Sequence, residues 1–126
     1  MVGIGYAPGA EVNSTSIAGS VNTSPSFVRR TLAKLSKAGL VHTATGKHGT
    51  CWLARPPREI SLLEIYRAVD APKAFAIHQY PVERQCTVSC HIKSALRHVL
   101  EETQEALEQR LSRISLAQVI SDLRRK

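Results

Sequence analysis

Apolar and polar positions separate most clearly between Ser24 and Gly39. At 100° per residue, Phe27, Val28, Thr31, Leu32, Leu35 and Ala38 share one side of a helix, and Ser26, Arg29, Arg30, Ala33, Lys34 and Lys37 share the other. Ser24 is a good N-cap, Pro25 suits the first helical position, and Gly39 suits a left-handed C-terminal cap. Upstream, Ser14, Thr15 and Ser16 are N-cap candidates for a short helix ending near Val21, and Asn22-Thr23 makes the turn between the two helices. Gly3, Gly5, Pro8 and Gly9 put too many helix breakers into residues 1–13 for a stable helix there.

Past Gly39 the period changes. Leu40–Thr43 and Cys51–Leu53 are short strands, and Gly46-Lys47-His48-Gly49 is the turn that joins them. Arg55-Pro56-Pro57 ends this hairpin. Ser61 and Glu64 form a capping box for a helix to about Val69, and residues 71–87, with Pro72 and Pro81, are a loop. From about Val88 a long helix carries an apolar stripe of Ile92, Leu96, Val99, Thr103, Leu107 and Leu111, flanked by Ala95, Leu100, Ala106 and Ile114. Its outer face holds Glu101, Glu102, Glu105, Glu108 and Arg110. At about 25 residues it spans roughly 38 Å, more than a small domain needs, so the stripe is expected to pack on a second copy of the chain. Ser115 caps a last short helix ahead of Arg124-Arg125-Lys126. The expected fold is mainly α with a small β-hairpin wing: a winged helix-turn-helix plus a long dimerisation helix.

Charge gives the pattern a direction. The 126-residue chain carries a formal +7. Residues 1–58 hold seven basic residues against one acid, Glu11, whereas residues 59–126 hold ten against nine. The organisation expected is a DNA-binding region over 1–58 and a linker helix, loop and dimerisation helix over 59–126, in one compact domain. A basic half points to a polyanionic partner. The polar side of the Ser24–Gly39 helix has no acid at all, although a merely solvated face mixes signs. Double-stranded DNA is therefore the expected partner. A protein-interaction module is the alternative class, and an RNA-binding domain is disfavoured by the shortage of aromatics to stack bases.

No run of about 18 apolar residues occurs, the N-terminus lacks a signal-peptide pattern, and three cysteines make no disulfide framework, so a reducing cytoplasm is expected. No nucleophile–base set, phosphate-cradling glycine loop or paired carboxylates near a histidine indicate an enzyme. Cys51, within the wing, is expected to be packing. Cys86, Cys90 and the adjacent His91 admit four readings: apolar packing, a thiol redox switch, half of a zinc site, or part of an iron–sulfur site.

The strings TSIAGSVNTSPSFVRRTLAKLSKAGLV, GKHGTCWLARPPREISLLEIYRAVD and CTVSCHIKSALRHVLEETQEALEQRLSRISLAQVI resemble the Rrf2 family of bacterial transcriptional regulators over residues 15–123. The resemblance implies a homodimer that binds a palindromic operator, here expected to be a repressor. It places DNA contacts at Ser24, Ser26, Arg29 and Arg30, with Lys34 added from the basic face, and in the wing at Thr45, Gly46, Lys47 and His48. Family wings often carry arginine where Thr45 stands. The family's first helix has about four turns, which Met1–Val12 does not supply, so that helix is expected to be truncated. Cluster-binding members place three cysteines before the long helix. Here only Cys86 and Cys90 stand there, which resembles the cluster-free branch, so no cofactor is expected and a [2Fe–2S] cluster is the alternative.

Overall fold

The computed structural model describes residues 1–6, 12–44, 49–75 and 86–126. They form two compact units, one of Met1–Ala71 with Leu111–Lys126, the other of Pro72–Arg110. The first therefore takes in residues 59–71 and the C-terminal helix alongside the basic half of the chain.

The first unit begins with α1 (Val2–Tyr6), α2 (Ser14–Val21) and α3 (Pro25–Lys37). The helix α1 corrects the expectation that residues 1–13 hold none. Its glycines cost helix propensity, but Ile4 is buried in the core. A Cβ on Gly5 would stand 2.6 Å from Ile120 Cδ1, so the missing side chain is what lets α1 approach the C-terminal helix. A second correction concerns α2. Its N-cap is Asn13, not one of the serines or Thr15: Asn13 Oδ1 accepts the Ser16 N–H at 2.8 Å and Ser16 Oγ accepts the Asn13 N–H at 3.1 Å. Asn13 holds that place because the chain entering α2 is already pinned to the wing, with the Cys51 N–H donating to Val12 O at 2.8 Å and Asn13 bridging Thr50.

The turn after α2 uses Asn22 in the left-handed region, φ 53°, which asparagine tolerates better than most residues. Ser24 Oγ then accepts the Phe27 N–H at 3.2 Å and caps α3, with Pro25 at its first position. Gly39, φ 77°, turns the chain out of the helix. β1 (Val41–Thr43) and β2 (Cys51–Leu53) pair antiparallel with His42 opposite Trp52. Alternation buries Val41 and Cys51 and leaves His42 and Trp52 outside, their rings 5.9 Å apart.

After a 3₁₀ turn at Pro57–Glu59, α4 (Leu62–Ala68) starts at a capping box of Ser61 and Glu64, and α6 (Leu116–Arg124) starts at one of Ser115 and Gln118. The two starts are clasped together. The Leu62 N–H donates to Ile114 O at 2.9 Å and the Leu116 N–H to Ile60 O at 2.8 Å. Ile60 and Leu116 are both fully buried, so the clasp sits inside the core that Val28, Leu32, Leu35, Leu40 and Val41 share with Ile4 and Ile120. Burying each of these aliphatic side chains stabilises the unit by roughly 1.5–3 kcal/mol, and this holds α2 and α3 in their turn.

The second unit is built on α5 (Thr87–Ser112), up to Arg110. The Ala74 N–H donates to Gln104 Oε1 at 2.9 Å, tying residues 72–75 to it. No residue of α5 is buried within the chain.

Candidate nucleic-acid interface

Val28, Leu32 and Leu35 anchor α3 in the core, so the opposite side must face outward. Ser26, Arg29, Arg30, Ala33, Lys34 and Lys37 are all exposed there. Arg29 Nη2 donates to Ser26 Oγ at 3.2 Å, which orients its guanidinium along the helix. Ser24 Oγ is occupied as the cap, which fixes the first turn but leaves that hydroxyl oxygen less able to serve as a second contact.

Two features of this face were not visible in the sequence. Phe27 was expected on the inner side, but it is 53% exposed. Val28, Leu32 and Leu35 fill the inward direction, and Phe27 lies a full 100° step to one flank of Val28. Its ring has the Arg30 guanidinium 6.0 Å from the centroid, within cation–π range. The other feature is Asp70, just past α4, whose Oδ2 lies 3.4 Å from Lys34 Nζ. The helix itself carries no acid, yet one of its cations has an acid supplied from elsewhere in the fold.

The wing positions Thr45, Gly46, Lys47 and His48 lie outside the described residues. The strands that would carry them are in place, since β1 ends at Thr43 and β2 starts at Cys51.

Cys86 and Cys90 sit at the start of α5, both exposed. Cys86 acts as a cap: its Sγ accepts the Ser89 N–H at 3.4 Å and its carbonyl accepts the Cys90 N–H at 3.0 Å. His91 Nδ1 lies 2.8 Å from Thr87 O. A carbonyl only accepts, so Nδ1 is the donor in this contact. Cys51 is different. It is buried, its thiol donates to Val12 O at 3.3 Å, and burial pushes its pKa up. An iron–sulfur cluster is held mainly by cysteine thiolates, with histidine replacing cysteine in some. At the start of α5 the chain offers two exposed thiols, Cys86 and Cys90, with His91 beside them, while Cys51 is held in the core, so the thiolate supply there is a poor match for a cluster. Among the described residues, no group of three or more His, Cys, Asp or Glu side chains converges as a metal site.

On the α5 stripe, Leu96 and Val99 are exposed and Ile92 and Leu107 half-buried, all in the second unit, while half-buried Leu111 belongs to the first.

Known proteins resemble this chain in sequence and in fold. The family model for Rrf2, described as an iron-dependent transcriptional regulator, matches residues 1–122. A protein of Bacillus subtilis (strain 168) named "Putative HTH-type transcriptional regulator YwnA" is 40% identical over 114 residues, 90% of this chain and 84% of that one. Among solved structures, CymR, the global cysteine regulator of B. subtilis, shares the fold with a TM-score of 0.67 at 21% identity, over 95% of this chain and 86% of that one. IscR of T. potens superposes with a TM-score of 0.61 at 26% identity, over 90% and 72%.

Proposed function

The chain belongs to the Rrf2 family of DNA-binding transcriptional regulators, and from that premise we propose that it is a homodimeric repressor gripping a palindromic operator. The observation that carries the reading is the exposed face of α3, whose own charged residues, Arg29, Arg30, Lys34 and Lys37, are all basic. In this reading α3 enters the major groove, Arg29 and Arg30 take guanine edges or phosphates, Lys34 takes a phosphate, and Ser24 and Ser26 set the register on the backbone. Thr45, Lys47 and His48 in the wing would contact the adjacent backbone. Two-fold symmetry in the protein matches the symmetry of a palindrome. The exposed Leu96 and Val99 on α5 favour a second copy as the cover for that stripe. A dimer seated on its operator excludes other proteins from it, hence repression as the sign. Among the described residues no helix is long and apolar enough to cross a membrane, and we place the protein with the DNA, in the cytoplasm, without catalytic chemistry of its own.

The signal is proposed to enter at Cys86 and Cys90. Both thiols are exposed at the first turn of α5, and Cys86 holds that turn as its cap. A peroxide, itself reduced to water or alcohol as it takes the two electrons and two protons of the thiols, would join Cys86 and Cys90 as a disulfide, pull Cys86 Sγ off the Ser89 N–H and re-aim the start of the dimerisation helix. The family model's iron dependence is not part of this reading, because only two thiols, Cys86 and Cys90, stand where a cluster would need more.

Fluorescence anisotropy on an operator selected from random duplexes tests the reading. Arg29→Ala or Arg30→Ala should weaken binding by about 1–3 kcal/mol where the side chain reads a base, and by less at a phosphate. Unchanged affinity in the double variant, with the fold intact by circular dichroism, rules out α3 as the recognition helix.

A further inference from the structure

Phe27 is a large aromatic side chain left in water on the first turn of α3, at 53% exposure. Its backbone is rigidly placed. The N–H is bound by Ser24 Oγ, and its carbonyl accepts Thr31 Oγ1 at 3.0 Å. The ring is also oriented, because the Arg30 guanidinium lies 6.0 Å from its centroid. An exposed ring forgoes the stabilisation that burial brings, so a ring held in a fixed place at the basic face is suited to being buried by a ligand.

We propose that Phe27 reads the methyl group of a thymine in the operator, with Arg30 beside it reading a guanine. The inference rests on α3 being the helix that enters the major groove. The first turn of such a helix is the part that reaches base edges. Hydrogen-bond donors and acceptors line that groove, and the one apolar group a standard base pair offers there is the C5 methyl of thymine. A phenyl ring has no other specific partner in it. The guanidinium is matched instead to guanine O6 and N7. The two groups are 6.0 Å apart, less than two base-pair rises of about 3.4 Å. The thymine therefore falls within two base pairs of the guanine. The half-site is specified jointly by an apolar reader and a charged one, and the exposed aromatic is a specificity-determining residue.

The test uses the whole protein and an operator selected from a random duplex pool. Each thymine is replaced singly by deoxyuridine, which lacks only the C5 methyl. Wild type should bind about fourfold more weakly, the worth of one buried methyl, at one thymine of the half-site, next to or one removed from a required guanine. Phe27→Ala should bind the thymine and uracil duplexes alike at that position, and Phe27→Leu should keep part of the discrimination. The readout is a ratio on one protein sample, so a partly unfolded variant does not disturb it. The proposal is overturned if wild type tolerates uracil at every thymine, or if the selected site has no thymine within two base pairs of a required guanine. It is equally overturned if Phe27→Ala keeps the fourfold loss at the same base, or changes only self-association or protein binding. Weaker binding by Arg29→Ala and Arg30→Ala together with indifference to uracil sinks the Phe27 assignment alone. Indifference to those arginine substitutions sinks the α3 reading beneath it.

Discussion

Replacing Asp70 with asparagine should tighten DNA binding without touching α3. Asp70 holds Lys34 Nζ at 3.4 Å, with the two side chains 77% and 49% exposed. Asparagine has the same shape and tolerates Asp70's left-handed backbone, φ 52°, as Asn22 does at φ 53°. An ion pair this exposed is worth about 0–1 kcal/mol to the fold, so the melting temperature should barely move. The effect on DNA is larger because Asp70 competes with a phosphate for Lys34, and asparagine frees the lysine to meet it. Each neutralised phosphate steepens the slope of log K against log salt by about 0.9. Between 200 and 50 mM salt, the advantage of Asp70→Asn over wild type should therefore grow by about 3.5-fold for every α3 engaged. Fluorescence anisotropy on one operator duplex across that range measures both slopes. Parallel lines, or weaker binding by the variant, would show that Asp70 does not keep Lys34 from a phosphate.

Three further outcomes follow from other parts of the fold. The Ser61 backbone N–H, and after it the Arg55 guanidinium at 2.6 Å, hold the Glu64 carboxyl below its ordinary value of 4.5. A depressed folded pKa stabilises the protein above the unfolded value, and that stabilisation is lost as pH falls through the folded one. Glu64→Gln should accordingly cost under about 1 kcal/mol at neutral pH, because the side chain is 42% exposed, and denaturation midpoints of the two proteins should converge in the acid window below 4.5; a constant gap down to about pH 3 refutes the assignment. Native protein treated with iodoacetamide should take label at exposed Cys86 and Cys90 and not at buried Cys51, whose raised pKa keeps it a thiol; mass spectrometry showing Cys51 labelled as fast as the others contradicts its place in the core. Gly19 lies inside α2 with nothing within 4 Å of a built Cβ, so Gly19→Ala should stabilise by about 0.5–1 kcal/mol, and a lowered melting temperature shows that the helix needs glycine there.

What could be read from the sequence is what short-range chemistry decides. Ser24, Pro25 and Gly39 bound α3 through contacts within a few residues, and Ser61 with Glu64 and Ser115 with Gln118 do the same for α4 and α6. The hairpin followed from strand alternation and the glycines between the strands. What escaped depends on partners distant in the chain. Gly5 counted as a helix breaker because its neighbour, Ile120, lies at the other end of the sequence. Asn13 lost to Ser14–Ser16 as a cap because its pairing with Thr50 leaves no local trace. Phe27 sat at the edge of the apolar arc, where a helical wheel cannot tell flank from core. Lys34 looked identical to Arg29 and Arg30 until Asp70 was placed beside it.

The clasp between residues 60–62 and 114–116 bears on how such a protein can diversify. It binds the two places from which α4 and α6 depart, so the chain that leaves the first unit after Ala71 and rejoins it at Leu111 does so between ends that are already secured. Closing a flexible segment between fixed ends costs only logarithmically more as it lengthens, about 0.6 kcal/mol per doubling. By that scaling, changes in the length of the chain between Ala71 and α5 should cost the first unit little. On the proposed function, changes around Cys86 and Cys90 could alter the input while α2 and α3 keep their fold, provided the apolar stripe of α5 is kept.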